Sequence, residues 1–324
     1  MRGLAEPVHI INPMWDAAGG AEHRAANLRK EIAAIHPAIL WSDFKADPRF
    51  AETCKVVRTR PWRFHFPKRG TFVFVGVYFP IRRWIALTAP RRIILVYNTV
   101  DPDALDARVK RLSRIAPTEI VYTSEALRAA SPHPGIFEPS LIDTNSFAPL
   151  RERPDRPFTV GRMSRAVEAK HHPADAGLYR MLAANGCEVR IMGAPDALRD
   201  SIGGAEGVRL YPAVAEPPEV FLRGLDCFYY RTRDNWFEPW GRVVTEAMAT
   251  GLPVVCHRNG GYADIIRHGH NGFLFDSQEE AAEILLELKR NAPLRMAVGN
   301  EARRTVETLW SPDRRREIVE YYVR

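Results

Sequence analysis

The chain has 324 residues, 46% hydrophobic and 26% charged, a length that favours two domains and a composition ordinary for a soluble globular protein. No run of 18 apolar residues is present, which excludes a membrane-spanning helix, and the opening MRGLAEPVHIINP lacks the apolar core and cleavage site of a signal peptide. The formal net charge of +7 resides in 1–150, with 21 Lys and Arg against 14 Asp and Glu, whereas 151–324 hold 25 of each.

In chain order, the first half alternates short β-rich runs with helical patterns. Strands are expected at 8–12, 38–42, 55–59, 71–76, 92–97 and 119–124, and helices near 20–35, 81–88, 103–114 and 124–130. Residues 131–158 carry six prolines and little periodicity, which reads as a linker. The rhythm restarts with strands at 158–163, 187–193, 208–213, 226–232, 253–258 and 272–275. Helices fit 173–185, 195–202, 217–224, 240–250, 278–290, 293–309 and 312–323. Such a β–α rhythm predicts parallel sheets covered on both faces, in an N-terminal Rossmann-like domain over 1–150 and a C-terminal one over 151–310. Residues 311–324 are expected to form a helix that packs back on the first domain. Two such sheets facing each other would make a cleft at the carboxyl ends of their strands.

The four cysteines, Cys54, Cys187, Cys227 and Cys256, are scattered and read as reduced thiols of a cytoplasmic protein. His171-His172 has no third ligand at sensible spacing and reads as surface histidine, so no metal site is expected. The one D-x-D triplet, Asp101-Pro102-Asp103, reads as a helix start with Pro at the first helical position.

The chemistry is concentrated in FEPWGRVVTEAMATGLPVV (237–255). Glu238 and Glu246 stand eight apart, a spacing that 23 glutamates would produce once or twice by chance. Its setting carries more: a strand, a loop, a helix from about Trp240 with Pro239 near its first position, a Gly251 stop and a buried-looking strand. With NGGYADIIRHGHNGFLF after it, the stretch resembles the donor-binding signature of the group 1 (family 4) glycosyltransferases, retaining enzymes of the α/β GT-B fold. VGRMSRAVEAK (160–170), EPSLIDTNSFAP (138–149) and GGAE (19–22) support the resemblance, which is strong in the second half and weak in 1–130.

The resemblance implies a metal-independent transfer of a sugar from a nucleoside diphosphate sugar, UDP or GDP type, to a glycan or lipid-linked acceptor. No cofactor beyond that donor is expected. Glu238 would hold the donor sugar and Glu246 the ribose, with the backbone around Trp240, Gly241 and Arg242 facing the phosphates. Arg162 and Lys170 would neutralise the leaving diphosphate, with Arg165 competing with Lys170, and Gly161 would line the substrate site. Gly19 and Gly20 match the family's Gly-rich loop facing donor phosphate and acceptor. Many members place a histidine where this chain has Asn98, which cannot act as a base. Alternatives are a non-catalytic paralogue that binds a nucleotide sugar or a partner enzyme, and another GT-B activity such as a phosphorylase or epimerase.

Residues 53–100 hold ten basic residues, no acidic one, and nine Phe, Tyr or Trp. Arg82, Arg83, Trp62 and Trp84 are expected on an exposed face that meets an anionic membrane, the alternatives being a solvated basic surface or a site for an anionic acceptor. No motif points to nucleic acid.

Overall fold

The computed structural model describes residues 5–150 and 156–324. Residues 1–4 of the opening stretch and 151–155 of the expected linker lie outside the described residues. The chain divides into two compact units. One runs to Ile142 and takes in Trp310–Arg324; the other is Asp143–Leu309. The division thus falls eight residues before position 150. The reason is local: Arg223 and Arg303 of the second unit donate to the carbonyls of Thr144, Ser146, Phe147 and Ala148 and tie that segment down.

The first unit is a seven-stranded sheet, every pairing parallel. Its strands are β1 (Val8–Ile11), β2 (Ala38–Ser42), β3 (Val57–Arg58), β4 (Arg69–Val75), β5 (Ala89–Tyr97), β6 (Thr118–Tyr122) and β7 (Ile136–Phe137). Their order, β3-β2-β1-β4-β5-β6-β7, reverses direction between β1 and β4. Helices α1 (Gly20–Ala33), α2 (Pro48–Cys54), α3 (Pro102–Leu112) and α4 (Glu125–Ala129) connect them. The central strands are apolar on both faces because both are covered: Ile10, Phe72, Val73, Ile94 and Val96 are all buried.

Local chemistry sets the helix starts. Asp47 caps α2, Asp101 caps α3 and Ser124 caps α4, each accepting a backbone N–H of the first turn. The helix expected over 81–88 is only a 3-10 turn, Arg83–Leu87, because the chain returns to the extended state at Thr88 to enter β5.

The second unit is a six-stranded parallel sheet of β8 (Thr159–Met163), β9 (Glu188–Met192), β10 (Val208–Tyr211), β11 (Cys227–Tyr230), β12 (Val254–His257) and β13 (Phe273–Phe275). The order is β10-β9-β8-β11-β12-β13, reversing between β8 and β11. Helices α5 (Asp175–Ala184), α6 (Asp196–Ile202), α7 (Pro218–Arg223), α8 (Arg242–Ala249), α9 (Gln278–Arg290) and α10 (Ala292–Leu309) cover it. Val160, Val189, Ile191, Tyr229, Val255 and Phe275 form the sheet side of its core, and Leu182 and Leu285 the helix side.

A last helix, α11 (Pro312–Val323), belongs to the first unit. Arg315 reaches Glu31 of α1 at 2.5 Å, and Tyr322 donates to Glu138, which Arg24 of α1 also holds at 2.8 Å. No helix among the described residues is long and apolar enough to cross a membrane.

One contact fixes α8, the helix of the Glu246 motif. A Cβ on Gly299 of α10 would lie 2.3 Å from the carbonyl oxygen of Gly251, just past the end of α8. Gly299→Ala must therefore push α10 off backbone, and should cost about 1–3 kcal/mol. The expected outcome in urea unfolding is a lowered midpoint with an unchanged slope.

Candidate active site

The second unit's sheet reverses between β8 and β11, and ligands of such sheets bind at the carboxyl ends of the strands flanking that point. Arg162 lies near the end of β8; Tyr230 ends β11 and Arg231 follows it. The loop after β11 carries Glu238, and the loop after β8 carries Lys170 in a 3-10 turn, Glu168–Lys170.

Glu238 is the centre of the cluster. Its backbone is clipped to the β12–β13 connection: its N–H donates to Asn259 O at 3.3 Å, and its carbonyl accepts from Gly261 N at 2.8 Å. Its carboxylate, 8% exposed, accepts from Lys170 Nζ at 2.6 Å and from the Tyr230 hydroxyl at 2.9 Å. Both bonds fall on Oε2. Burial by itself would push this carboxyl up, but the Lys170 charge, the hydrogen bond from Lys170 and that from Tyr230 outweigh it. Glu238 is held below its ordinary range.

Arg162 does not stand beside Lys170 as a second cation facing outward. It is 1% exposed, and its guanidinium donates to Arg231 O at 2.8 Å and to the carbonyl of Lys170 itself. Its Cζ lies 5.1 Å from the Tyr230 ring centroid, and Asp175 Oδ2 is 3.6 Å from Nη1. The guanidinium expected to face phosphate here joins the two loops that carry Lys170 and Glu238. Arg165, the expected competitor of Lys170, is half-buried in the same loop.

Asp175, at the start of α5, was not among the expected site residues. It is fully buried, accepts from the Tyr229 hydroxyl at 2.9 Å and sits 3.8 Å from Arg231. Burial pushes its carboxyl up to about 6, against the pull of Arg162, the Tyr229 hydroxyl and Arg231. His171, read from the sequence as a surface residue, is buried with Nε2 2.8 Å from Ser164 Oγ. Burial, with the nearby Arg162 charge, keeps it neutral.

Helix α8 starts at Arg242, two residues later than expected, so Pro239 is not its first residue. Gly241 precedes it in the left-handed region (φ +71°), with no side chain capping the helix. A Cβ on Gly241 would sit 2.4 Å from Tyr262 Cδ1, and one on Gly260 2.4 Å from Tyr262 Cε1. The buried Tyr262 ring therefore fills the room that both glycines leave. Its hydroxyl is tied to His257 O at 2.7 Å, and its ring meets Tyr230 edge-on at 5.8 Å. Trp240 is buried beside this turn.

Glu246 is the fifth residue of α8, little more than one turn in rather than two. It is buried and paired with Arg242 at 2.6 Å. Burial raises its carboxyl pKa, offset in part by Arg242. Gly161 lies inside β8, and a Cβ there would be 2.4 Å from Leu225 Cδ2.

Gly19, Gly20 and Asn98 belong to the first unit. Gly19 precedes α1 and Gly20 opens it, while Asn98 is half-buried just after β5, with Oδ1 3.4 Å from Thr99 Oγ1.

Two units of parallel sheet, with this cluster at the reversal point of the second, define the class: the fold is that of the GT-B glycosyltransferases. Residues 178–305 match the family model described as "Glycosyl transferases group 1", so the second unit carries a group 1 glycosyltransferase domain.

Solved structures share the fold. HepE of Anabaena in complex with UDP-glucose aligns with a TM-score of 0.75 at 15% identity, over 97% of this chain and 98% of that one. A glycosyltransferase of Rickettsia africae aligns with a TM-score of 0.76 at 12% identity, over 98% of both chains. Among curated proteins, spore coat protein SA of Bacillus subtilis is 36% identical over 77 residues, 23% of this chain and 20% of its own length. A probable sucrose-phosphate synthase 5 of Oryza sativa is 28% identical over 169 residues, 48% of this chain and 17% of its own. The chain thus spans a fifth or less of the length of these two curated relatives.

The Lys170–Glu238 pair gives a signed pH dependence. A carboxylate held below its ordinary 4.5 contributes stability that is present above that value and lost as pH falls through the lowered one. Glu238→Gln should cost about 2–3 kcal/mol at pH 7, since it leaves Lys170 opposite a neutral group. The difference in melting temperature between wild type and variant should narrow as the pH drops below 4.5.

Proposed function

We propose that this chain is a retaining, metal-independent glycosyltransferase that moves a sugar from a nucleoside diphosphate sugar, of UDP or GDP type, to a glycan or lipid-linked acceptor. The second unit binds the donor and the first unit the acceptor. The product belongs to a cell-surface polysaccharide or glycolipid, made in the cytoplasm or at the inner face of the membrane. The observation that carries this reading is the Glu238 carboxylate, buried yet held ionised by Lys170 and Tyr230, in the loop that leads to the uncapped start of α8.

An ionised carboxylate accepts hydrogen bonds from neighbouring hydroxyls and is a poor proton donor. Glu238 therefore suits holding the donor sugar through its diol, with Oε1 the oxygen used by neither internal bond. The start of α8, which no side chain caps, suits the diphosphate, and Lys170 supplies a fixed cation for the charge that grows on the leaving oxygen. The two together provide the positive field that a divalent ion supplies elsewhere. Arg162 holds the Lys170 backbone in place, and Glu246, set further along α8, suits the ribose once Arg242 yields it. Asn98 leaves the first unit without a base at that point, which fits a transfer in which the departing phosphate takes the acceptor proton.

The test pairs binding with turnover. A screen of UDP-, GDP- and ADP-sugars should raise the melting temperature with at least one donor. Glu238→Gln should lower turnover at least tenfold, and Glu246→Ala should act on donor affinity, because ribose contacts change little during transfer. Activity should survive EDTA. A donor that binds but is never turned over, with any acceptor or with water, would mark a non-catalytic paralogue.

Membrane contact, where it occurs, is best assigned to the turn Pro61–Arg63. Trp84, expected on the exposed face, is instead buried against Phe66, its indole N–H donating to Asp43 at 2.8 Å. Trp62 and Phe64 are 72% and 68% exposed at a tip closed by Arg60 and His65, with Arg58, Arg60, Arg63, Lys68 and Arg69 exposed around it. Aromatic side chains settle at the headgroup level, and each basic one near an anionic surface contributes on the order of 1 kcal/mol. Co-sedimentation with anionic vesicles should fade at high salt and fall at least fivefold in the Trp62→Ser, Phe64→Ser double variant. Binding unchanged by those substitutions would leave the basic face as a site for an anionic acceptor only.

A further inference from the structure

The first unit has its own reversal point, between β1 and β4, and a second cluster sits on it. Just past β1, Asn12 Nδ2 donates to Val75 O at 2.8 Å and lies 3.1 Å from the Tyr78 hydroxyl. Its Oδ1 accepts from Met14 N at 2.8 Å. That bond, and one from Asp47 N to Met14 O at 2.7 Å, hold Met14 in the left-handed region (φ +56°), where a non-glycine residue is strained. The strain presents Trp15, 45% exposed, edge-on to Phe44 at 5.0 Å and 6.2 Å from Tyr78, which is 37% exposed. Arg82 covers the Phe44 ring at 5.1 Å.

A buried carboxylate lies next to these rings. Glu22 is 3% exposed, with Oε1 3.5 Å from the Tyr78 hydroxyl. Two glycines make room for the cluster. A Cβ on Gly19 would lie 2.0 Å from Glu22 Oε2, and one on Gly76 2.4 Å from Tyr78 Cε1. A Cβ on Gly20 would meet nothing within 4 Å, so the space beside α1's first residue is open.

Resting on the glycosyl-transfer reading, we propose that Trp15 and Tyr78, with Glu22, form the subsite for the terminal ring of the acceptor, and that this ring is a neutral pyranose. A pyranose offers an apolar C–H face and a rim of hydroxyls. Exposed aromatic rings take the face, and a carboxylate takes the hydroxyls. The alternatives fit less well. An apolar ligand would set its surface against the carboxylate of Glu22. An anionic one would meet Glu22 and Asp16, the residue that follows Trp15, as like charges.

The test uses the full chain labelled with 5-fluorotryptophan, with the fluorine resonances of Trp15 and Trp62 identified from Trp15→Phe and Trp62→Phe. The probes are the methyl glycosides of glucose, galactose, mannose and N-acetylglucosamine, and UDP as a control. At least one glycoside should shift the Trp15 resonance and leave that of Trp62, the other exposed indole, in place. Trp15→Ala should weaken that glycoside's binding about tenfold, equivalent to about 1.4 kcal/mol, while the melting-temperature rise given by donor stays at the wild-type value. A Trp15 resonance that none of the glycosides moves, or that UDP alone moves, overturns the subsite. Loss of the donor-induced rise in wild type counts instead against the glycosyl-transfer reading, so the two failures are distinct.

Discussion

A guanidinium with 1% of its surface exposed must find acceptors inside the protein, and Arg162 finds them in two backbone carbonyls, of Lys170 and Arg231. Leaving a buried charge unpaired costs several kcal/mol, so both loops are committed to the positions where their carbonyls meet that group. Lys170 then has no choice but to stand near Tyr230, and Glu238 is drawn to the pair. Asp175 completes the account from α5, balancing the charge at 3.6 Å with a carboxyl whose own pKa is raised by the same burial. The cluster is therefore built outward from one interior charge rather than assembled at the surface.

The two units solve the same problem with different materials. Each reverses its strand order beside its first strand, and each gathers polar side chains at that point. In the second unit the gathering is ionic: Arg162, Lys170, Glu238 and Asp175. In the first it is aromatic and hydrogen-bonded: Trp15, Tyr78 and Asn12, with Glu22 the carboxylate beside them. A phosphate-rich ligand would suit the former and a hydroxyl-rich one the latter, in keeping with the proposed division between donor and acceptor.

Much of this was legible in the sequence. Alternation of short apolar runs with helical patterns marked twelve of the thirteen strands, and the motif around Glu238 and Glu246 stood out through its neighbours rather than its spacing. What was not legible depended on distant partners. Gly161 looked like a ligand-facing glycine, yet it makes room for Leu225, 64 positions away. Trp84 was placed on the surface with its basic neighbours, but Asp43, on another loop, draws its indole N–H inward. Asp175 carries no motif at all; only the arrival of Arg162, Arg231 and Tyr229 from other strands gives it meaning. The short helix α2 is different, since its Asp47-Pro48 start is a readable helix-capping signal. The two-residue β7, by contrast, is too short to leave a pattern.

The Tyr262 ring lies where side chains on both Gly241 and Gly260 would have to go, and its hydroxyl is moored to His257 O. The three positions therefore cannot drift independently through a lineage. Either glycine can gain a methyl only after the tyrosine has been cut down, and a smaller residue at 262 opens a hole that a change at one glycine alone does not fill. Intermediates in either order are worse than both ends, so single-step variation is blocked. This trio would be expected to change together or not at all, even though none of the three carries a charge.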